Sequence, residues 1–282
     1  MIPSAFRYER PATIKEALGF LADPEAKVLA GGQSLLPLLR LRMAEPGLLV
    51  DLQDIAELQG MRLEAQSVRL GALLRHAELR EAAPWRVLRE AAEATGDRQV
   101  RRLGTIGGAT AHADPAGDLP AALLAIGATV EIEGPNGRHE MPIGEFFLGP
   151  LTTALAADEI LTGLRLPLPA AGSGSSYRKL RQKASGFALA GVGAMVRLEE
   201  GRCVDAGIGV TGVGLAPYAA DGARERLLGT RLAPGDIQAA LEMIMDGVDV
   251  QDDAYASRDY RSSMCRLYAA QAIESARAEA LG

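Results

Sequence analysis

The stretch Ala30-Gly31-Gly32-Gln33-Ser34-Leu35 decides the fold, together with a second stretch, Gly104-Thr105-Ile106-Gly107-Gly108-Ala109. Each stretch joins two adjacent glycines to a hydroxyl side chain. Because glycine has no Cβ atom, the backbone can curl there and point successive N–H groups at one bound anion. A helix predicted directly after the first stretch would add the positive end of its dipole. Each stretch taken alone also fits an ordinary tight turn, with Ser34 or Thr105 in a local hydrogen bond.

The chain around the first stretch alternates between helix and strand. Apolar residues at helical spacing predict a helix over 11–22 with Thr13 as a plausible N-cap. Short apolar runs predict strands at 27–30 and 48–52, and Ser34 can cap a helix over 35–43 that carries Pro37 in its first turn. Residues 1–55 are therefore predicted to form a small α/β unit.

The region around the second stretch, residues 56–168, is predicted to form another α/β unit. Residues 104–120 are rich in Gly, Ala and Asp and are predicted to be irregular. A strong turn signal at Gly134-Pro135-Asn136-Gly137 predicts a hairpin. The regular elements expected here are strands at 68–72 and 129–133 and helices at 75–83, 85–94 and 121–126.

A Pro/Gly/Ser-rich stretch at 167–176 predicts a boundary, beyond which the pattern becomes α+β. Two strands are expected at 188–198 and 203–213, joined by a turn at Glu200-Gly201. Three helices are expected after them, at 219–228, 234–245 and 257–280.

Composition excludes several classes of function. The net charge is −6 and aromatic residues make up only 4% of the 282 residues, which argues against nucleic acid and anionic membrane surfaces as partners. The two cysteines, Cys203 and Cys265, cannot provide a four-thiolate iron–sulfur or zinc site, and the three histidines match no metal-binding spacing. No apolar run reaches the length of a membrane span, and the first residues do not resemble a signal peptide. A cytoplasmic location is therefore expected.

Several polar residues remain open between structural and functional roles. Asp118 could cap a helix at Pro120 or accept hydrogen bonds from a ligand. His112 could reach a cofactor or be an ordinary surface histidine. Arg101 and Arg102 fit either a solvated edge or a contact with a partner.

The two glycine stretches together favour a dinucleotide held between two units, although each alone could be a turn. A nicotinamide-type site would show one GxGxxG motif and an acidic residue about twenty positions later, and that pattern is absent. A Walker A motif is absent as well.

The sequence resembles the medium, FAD-binding subunits of the molybdenum hydroxylases, of the carbon monoxide dehydrogenase and xanthine dehydrogenase type. The resemblance runs through the whole chain. Its main segments are AGGQSLLPLLRLR at 30–42, VRRLGTIGGATAHADPAGDLPAAL at 100–123, FFLGPLTTALAADEILTGLRLP at 146–167 and YRKLRQKASGFALAGVGA at 177–194.

The resemblance implies an α+β fold: an FAD-binding domain of the PCMH/vanillyl-alcohol-oxidase type over 1–168, with subdomains 1–55 and 56–168, and a C-terminal domain over 176–282. It implies pyrophosphate and ribityl contacts from both glycine stretches with Asp118 nearby, and Tyr177 and Lys179 close to the isoalloxazine ring. The family usually has Asn where this chain has Ala109, so one side-chain hydrogen bond to FAD should be missing. The implied cofactor residues are Ala30, Gly31, Gly32, Gln33, Ser34, Leu35, Thr105, Ile106, Gly107, Gly108, Ala109, Asp118, Tyr177 and Lys179.

The implied function is electron transfer by FAD, with no catalytic or metal-binding residue on this chain. A large molybdopterin-binding subunit and a small subunit with [2Fe–2S] clusters are the expected partners, in a dimer of heterotrimers. Two other functions stay open: a self-sufficient flavin-dependent oxidoreductase of the same fold, and a non-enzymatic assembly module whose glycine stretches are only turns.

Overall fold

The computed structural model describes residues 2–282, which form three units, each built around its own sheet. In the first unit the strands are parallel in the order β1-β3-β2, and helix α1 covers the sheet. The predicted α/β character of this unit is confirmed. Its elements are β1 (Arg7–Glu9), α1 (Ile14–Leu21), β2 (Ala26–Leu29), α2 (Leu35–Leu41) and β3 (Leu48–Asp51).

The ends of the two helices follow from local chemistry. The Thr13 side chain accepts the N–H of Glu16 at 3.2 Å, so the predicted N-cap of α1 is confirmed. Ser34 occupies the N-cap position of α2, but its side chain makes no capping hydrogen bond. The helix ends at Leu41, two residues earlier than predicted, because Arg42 adopts a left-handed conformation with φ 56°.

The second unit contains a five-stranded antiparallel sheet in the order β4-β5-β10-β6-β7, with a turn of 3₁₀ helix at Ala56–Leu58 before it. The hairpin predicted at residues 134–137 joins β6 and β7. The elements are β4 (Met61–Leu63), β5 (Ser67–Gly71), α3 (His76–Ala82), α4 (Arg86–Ala94), α5 (Arg98–Leu103), α6 (Ile106–His112), α7 (Asp118–Ala125), β6 (Thr129–Gly134), β7 (Gly137–Pro142), α8 (Ile143–Phe146), β8 (Phe147–Gly149), β9 (Thr152–Thr153) and β10 (Ile160–Pro167).

The prediction that residues 104–120 are irregular is wrong, because they contain α6 and the start of α7. The Thr105 hydroxyl accepts the N–H of Gly108 at 3.1 Å and caps α6. A Cβ atom on Gly107 would lie only 2.5 Å from the Ala72 side chain, so the helix packs directly against the chain after β5. A helix built from such small residues lacks the apolar periodicity that sequence patterns detect.

The third unit is an antiparallel sheet in the order β11-β12-β13-β14, packed against the long helix α11. The predicted strands over 188–198 and 203–213, the Glu200-Gly201 turn and the three helices are confirmed, with ends shifted by a few residues. The elements are β11 (Ser173–Arg181), β12 (Ala188–Glu199), β13 (Arg202–Thr211), β14 (Tyr218–Ala219), α9 (Asp221–Leu227), α10 (Pro234–Leu241) and α11 (Arg258–Leu281).

Strand β11 was not predicted, because its first residues look like a linker. The structure explains their composition. A Cβ atom on Gly174 would lie 2.0 Å from the Ala276 carbonyl oxygen of α11, so only glycine fits there. Ser175 and Ser176 are buried, and their hydroxyls bond the Val87 N–H and the Glu90 carboxylate.

Helix α7 connects the second and third units. It packs against β12 and β13, where a Cβ atom on Gly209 would lie 2.0 Å from the Ala121 carbonyl oxygen. The loop before α7 is also held, because the Pro115 carbonyl accepts both the Thr211 hydroxyl at 2.8 Å and the Gly212 N–H at 2.7 Å. Within residues 2–282 no helix has both the length and the apolar character required to cross a membrane.

Candidate cofactor site

The structure brings the two glycine stretches into direct contact. A Cβ atom on Gly31 would lie 2.2 Å from the Leu103 carbonyl oxygen and 2.8 Å from Gly104 Cα. A Cβ atom on Gly108 would lie 3.7 Å from the Ala30 side chain. The loops of the first and second units therefore form one surface, as their pairing in the sequence suggested, and Gly31 is required for the close approach.

The first loop presents backbone donors that the protein does not use. The N–H groups of residues 31–35 have no acceptor among residues 2–282, whereas the next one, Leu36 N–H, bonds the Gly32 carbonyl. Gly32 has φ 70°, a conformation that favours glycine, and the Gln33 side chain holds the Gly31 carbonyl at 2.9 Å. Five successive unpaired N–H groups on a curled backbone are the arrangement that a diphosphate requires.

The second loop differs, because its amides are already bonded. Ile106 N–H donates to the Leu74 carbonyl at 2.9 Å and Gly107 N–H to the Ala72 carbonyl at 2.8 Å. Gly108 and Ala109 N–H groups bond the hydroxyl and the carbonyl of Thr105. The second loop therefore provides a rigid wall beside the first loop, and few free donors.

A cavity of about 320 Å³ lies between the two units beside these loops. Arg75 lines this cavity and donates to the Leu103 carbonyl at 3.0 Å and the Arg102 carbonyl at 3.2 Å, which fixes the chain leading into the second loop. The cavity is lined by Ala30, Gln53, Gln59, Gly60, Leu73, Arg75, Glu78 and Thr105.

A second group of predicted residues forms a buried polar cluster. Tyr177 Oη donates to Asp118 Oδ1 at 2.6 Å, and Lys179 Nζ donates to Asp118 Oδ2 at 2.8 Å. Lys179 Nζ also donates to the Ala94 carbonyl at 3.1 Å, and Thr95 Oγ1 lies 3.3 Å from Asp118 Oδ2. Tyr177 and Lys179 stand two residues apart on β11, so their side chains point to the same face of the sheet. The start of α7 supplies Asp118 on that face.

Burial dominates the electrostatics of this cluster. Burial raises the pKa of the Asp118 carboxyl, while Lys179 and the hydroxyls of Tyr177 and Thr95 oppose the shift. Burial and the adjacent Asp118 carboxyl raise the pKa of the Tyr177 phenol well above its usual range, so this phenol stays neutral and donates. The N-cap of α7 is Gly117, and no side chain caps the helix, so the helix-capping role considered for Asp118 is wrong.

His76 also lies in this region, and a packing or capping role is the one that the sequence favours for it. It is buried as the first residue of α3, and a Cβ atom on Gly104 would lie 2.9 Å from its Cε1. Neither ring nitrogen has a hydrogen-bond partner among residues 2–282. Burial lowers its pKa from 6.5 to about 4, so the ring is neutral behind the second loop. Thr95 is the residue of this region that sequence reasoning missed, and nothing in the sequence around it marks it.

The remaining candidates lie outside both groups. His112 is partly exposed, and its Nε2 lies 4.0 Å from Asp114 Oδ2. Arg101 donates to the carbonyls of residues 93, 95 and 96, so it holds the turn between α4 and α5. Cys203 and Cys265 are free and buried, and burial raises their pKa values to about 11 and about 12.

Comparison with known families gives two matches that together span most of the chain. Residues 4–169 match the FAD binding domain in molybdopterin dehydrogenase, and residues 175–276 match the CO dehydrogenase flavoprotein C-terminal domain.

Curated relatives are similar over nearly their full lengths. The chain is 36% identical to the carbon monoxide dehydrogenase medium chain of Afipia carboxidovorans, with 99% of each chain covered. It is 33% identical to the 6-hydroxypseudooxynicotine dehydrogenase complex subunit alpha of Paenarthrobacter nicotinovorans, with 98% of this chain and 96% of the relative covered.

Solved structures agree with these similarities. A chain of the cyanide-inactivated Cu,Mo-CO dehydrogenase superposes with a TM-score of 0.95 at 34% identity, covering 99% of this chain and all of that one. A chain of quinoline 2-oxidoreductase from Pseudomonas putida 86 gives 0.92 at 30% identity, with both chains fully covered.

The fold and the contact between the two glycine loops define an FAD-binding electron-transfer protein. The chain belongs to the family of medium, FAD-binding subunits of molybdopterin-containing dehydrogenases. FAD is the cofactor of this subunit, and molybdopterin and iron–sulfur clusters belong to other subunits of such complexes.

Proposed function

We propose that the first loop holds the pyrophosphate of FAD through the free N–H groups of Gly31, Gly32, Gln33, Ser34 and Leu35. The observation that supports this most directly is that these donors lack acceptors among residues 2–282, while the following amide is paired. A Cβ atom on Gly31 would push the loops apart. The second loop, Thr105 to Ala109, forms the facing wall. Because its N–H groups are already bonded within the protein, it contacts the ligand mainly by packing and donates few hydrogen bonds.

The cluster of Asp118, Tyr177 and Lys179 is proposed to border the isoalloxazine ring. Its support is the enclosed position of three polar side chains at the junction of the second and third units. FAD supplies the ability to take up electrons singly and release them in pairs. Asp118 offsets most of the Lys179 charge, so Lys179 acts on the flavin through what remains of its field and through its hydrogen bonds.

This role of Lys179 has a direct test. Replacing Lys179 with Met removes the cation next to Asp118, and the flavin reduction potential should fall because the reduced, anionic flavin loses stabilisation. An unchanged potential in a variant that retains FAD would remove Lys179 from the proposed site.

The chain is proposed to work in a larger assembly. With two cysteines, both buried and far apart in sequence, it cannot ligate a [2Fe–2S] cluster itself. Electrons are therefore proposed to arrive from the clusters of a small subunit, after substrate oxidation on a large molybdopterin subunit, and to leave for an external acceptor. The proposal extends to a dimer of heterotrimers in the cytoplasm, and to a domain division at 1–168, with subdomains 1–55 and 56–168, and 176–282.

Reconstitution tests this function. The purified chain should contain FAD that a reducing substrate cannot reduce until both the large and small subunits are added. Flavin reduced by a small substrate without partners would favour a self-sufficient oxidoreductase. A chain that never takes up FAD, while still assembling with both partners, would favour the assembly module.

A further inference from the structure

A second cavity, of about 350 Å³, lies between α3 and α5. Helix α3 contributes Ala77, Arg80 and Glu81, and α5 contributes Arg98, Arg101 and Arg102. The α5 arginines are spaced i, i+3 and i+4, so they lie on one face of the helix. Four guanidinium groups thus surround one cavity with a single carboxylate in its lining, although the whole chain carries a net charge of −6.

Two of the four guanidinium groups are fixed in place. Arg80 and Arg101 share Glu93, with N–O distances of 3.0 and 3.6 Å. Arg101 also donates to three backbone carbonyls at 3.2 Å, including those of Thr95 and Gly96, and its side chain is only 14% exposed. These contacts hold the two cations at the cavity without help from a ligand.

The other two guanidinium groups are free to bind. Neither the Arg98 nor the Arg102 side chain has a hydrogen-bond or carboxylate partner among residues 2–282, and both residues are exposed. They stand four residues apart on α5, a spacing at which like charges destabilise a helix. A bound anion would remove that repulsion.

The chemistry of this cavity points to a phosphate-bearing ligand. Guanidinium groups match the oxygens of phosphate with paired, charge-assisted hydrogen bonds. Ala77 leaves room because its side chain is small. Glu81 weakens the attraction, so a singly charged anion gains little, whereas a multiply charged phosphate still binds favourably. We infer that the cavity between α3 and α5 binds the phosphate or diphosphate group of a small molecule, separately from the FAD pyrophosphate on the first loop.

Calorimetric titration of the full chain with inorganic pyrophosphate tests this inference, after the chain has been loaded with FAD and unbound FAD has been removed, so that the first loop is filled and no free dinucleotide competes. Wild type should bind saturably, with affinity falling as salt rises. Arg98→Gln combined with Arg102→Gln should weaken binding about tenfold or more, because two charge-assisted hydrogen-bond donors are removed. Arg226→Gln combined with Arg266→Gln removes two other exposed arginines, whose side chains have no hydrogen-bond or carboxylate partner among residues 2–282, and should leave binding within about twofold.

Titration of the isolated chain overturns the inference if wild type shows no saturable binding, or if the Arg98/Arg102 variant binds equally well. The titration is repeated on the complex with the large and small subunits. Retained binding supports a ligand site, whereas loss of binding on assembly assigns the arginines to a subunit interface and overturns it. Flavin absorbance and the unfolding midpoint are recorded for each variant. A chain without FAD would defeat the proposed function but still allow the pyrophosphate comparison between variants.

Discussion

Lys179 Nζ lies 2.8 Å from Asp118 Oδ2, and the two side chains are only 6% and 5% exposed. The lysine comes from β11 and the aspartate from the first turn of α7, so this ion pair joins the third unit to the second. Because the pair is enclosed, each charge depends on the other for solvation.

Removing one member of this pair should destabilise the protein more than removing both. Lys179→Met leaves the buried Asp118 carboxyl without its cation, and we expect a loss of about 3–5 kcal/mol in the free energy of unfolding. Asp118→Asn should cost a similar amount, while the double variant should recover much of it. Urea unfolding of the four proteins gives the coupling energy. Additive losses would show that the pair contributes nothing as a pair.

Gly31→Ala should abolish most FAD binding. The new Cβ atom would meet the Leu103 carbonyl oxygen at 2.2 Å, so the two loops must separate and the free N–H groups move. The measurement is the flavin-to-protein ratio after purification. Gly19→Ala is the matched control, because a Cβ atom there meets nothing within 4 Å and Gly19 is exposed on α1. That variant should keep its FAD and gain about 0.5–1 kcal/mol of stability. Equal FAD content in both variants would contradict the proposed site.

His76 should make the protein acid-sensitive. Its pKa is lowered by burial from 6.5 to about 4, so the folded state holds the neutral ring. The stability that this provides is complete above the unfolded pKa and is lost as the pH falls toward the folded one. Between about pH 7.5 and about pH 4.5 the expected loss is roughly 2.5 kcal/mol. His76→Leu cannot titrate, so its unfolding free energy should fall by that much less over the same interval in urea experiments. Parallel curves would show that His76 does not titrate in this way.

Ala109→Asn should strengthen FAD binding. The family resemblance implies asparagine at this position, directly after the second pair of glycines, and one hydrogen bond contributes about 0.5–1.5 kcal/mol. A decrease of about threefold to tenfold in the FAD dissociation constant is expected from flavin fluorescence titration. Ala111→Asn is the control, since Ala111 lies on the same helix α6 and is also partly buried against the core. A similar decrease for both variants would show a general effect on α6.

Local signals account for the elements that sequence patterns predicted. Thr13 caps α1 within four residues of chain, and Glu200 and Gly201 turn the β12–β13 hairpin with φ values of 49° and 73°. Strand β11 and helix α6 depend instead on close packing against residues far away in sequence. Gly174 of β11 packs against Ala276 of α11, and Gly107 of α6 packs against Ala72. Their small residues show that something packs closely against them, but do not show what.

The cofactor site likewise has features that the sequence predicts and features that only the folded chain reveals. Paired glycines mark both loops in the sequence, because few other residues allow such close backbone approach. The difference between the loops was not predictable, since it depends on whether the carbonyls of Ala72 and Leu74 reach the second loop. His76 and Thr95 gain their importance only from burial beside residues far away in the sequence.

The hydrogen bonds between the third unit and the loop before α7 limit how parts of related chains can be exchanged. The Pro115 carbonyl is bonded by Thr211 and Gly212, from the end of β13, a few residues before Asp118 meets Lys179. The linker-like stretch at 167–176 therefore divides the chain in sequence, but the parts on either side of it are held together by contacts in the structure. A hybrid of two relatives joined there would bring together residues that are not matched to one another, so we expect such hybrids to be less stable than either parent.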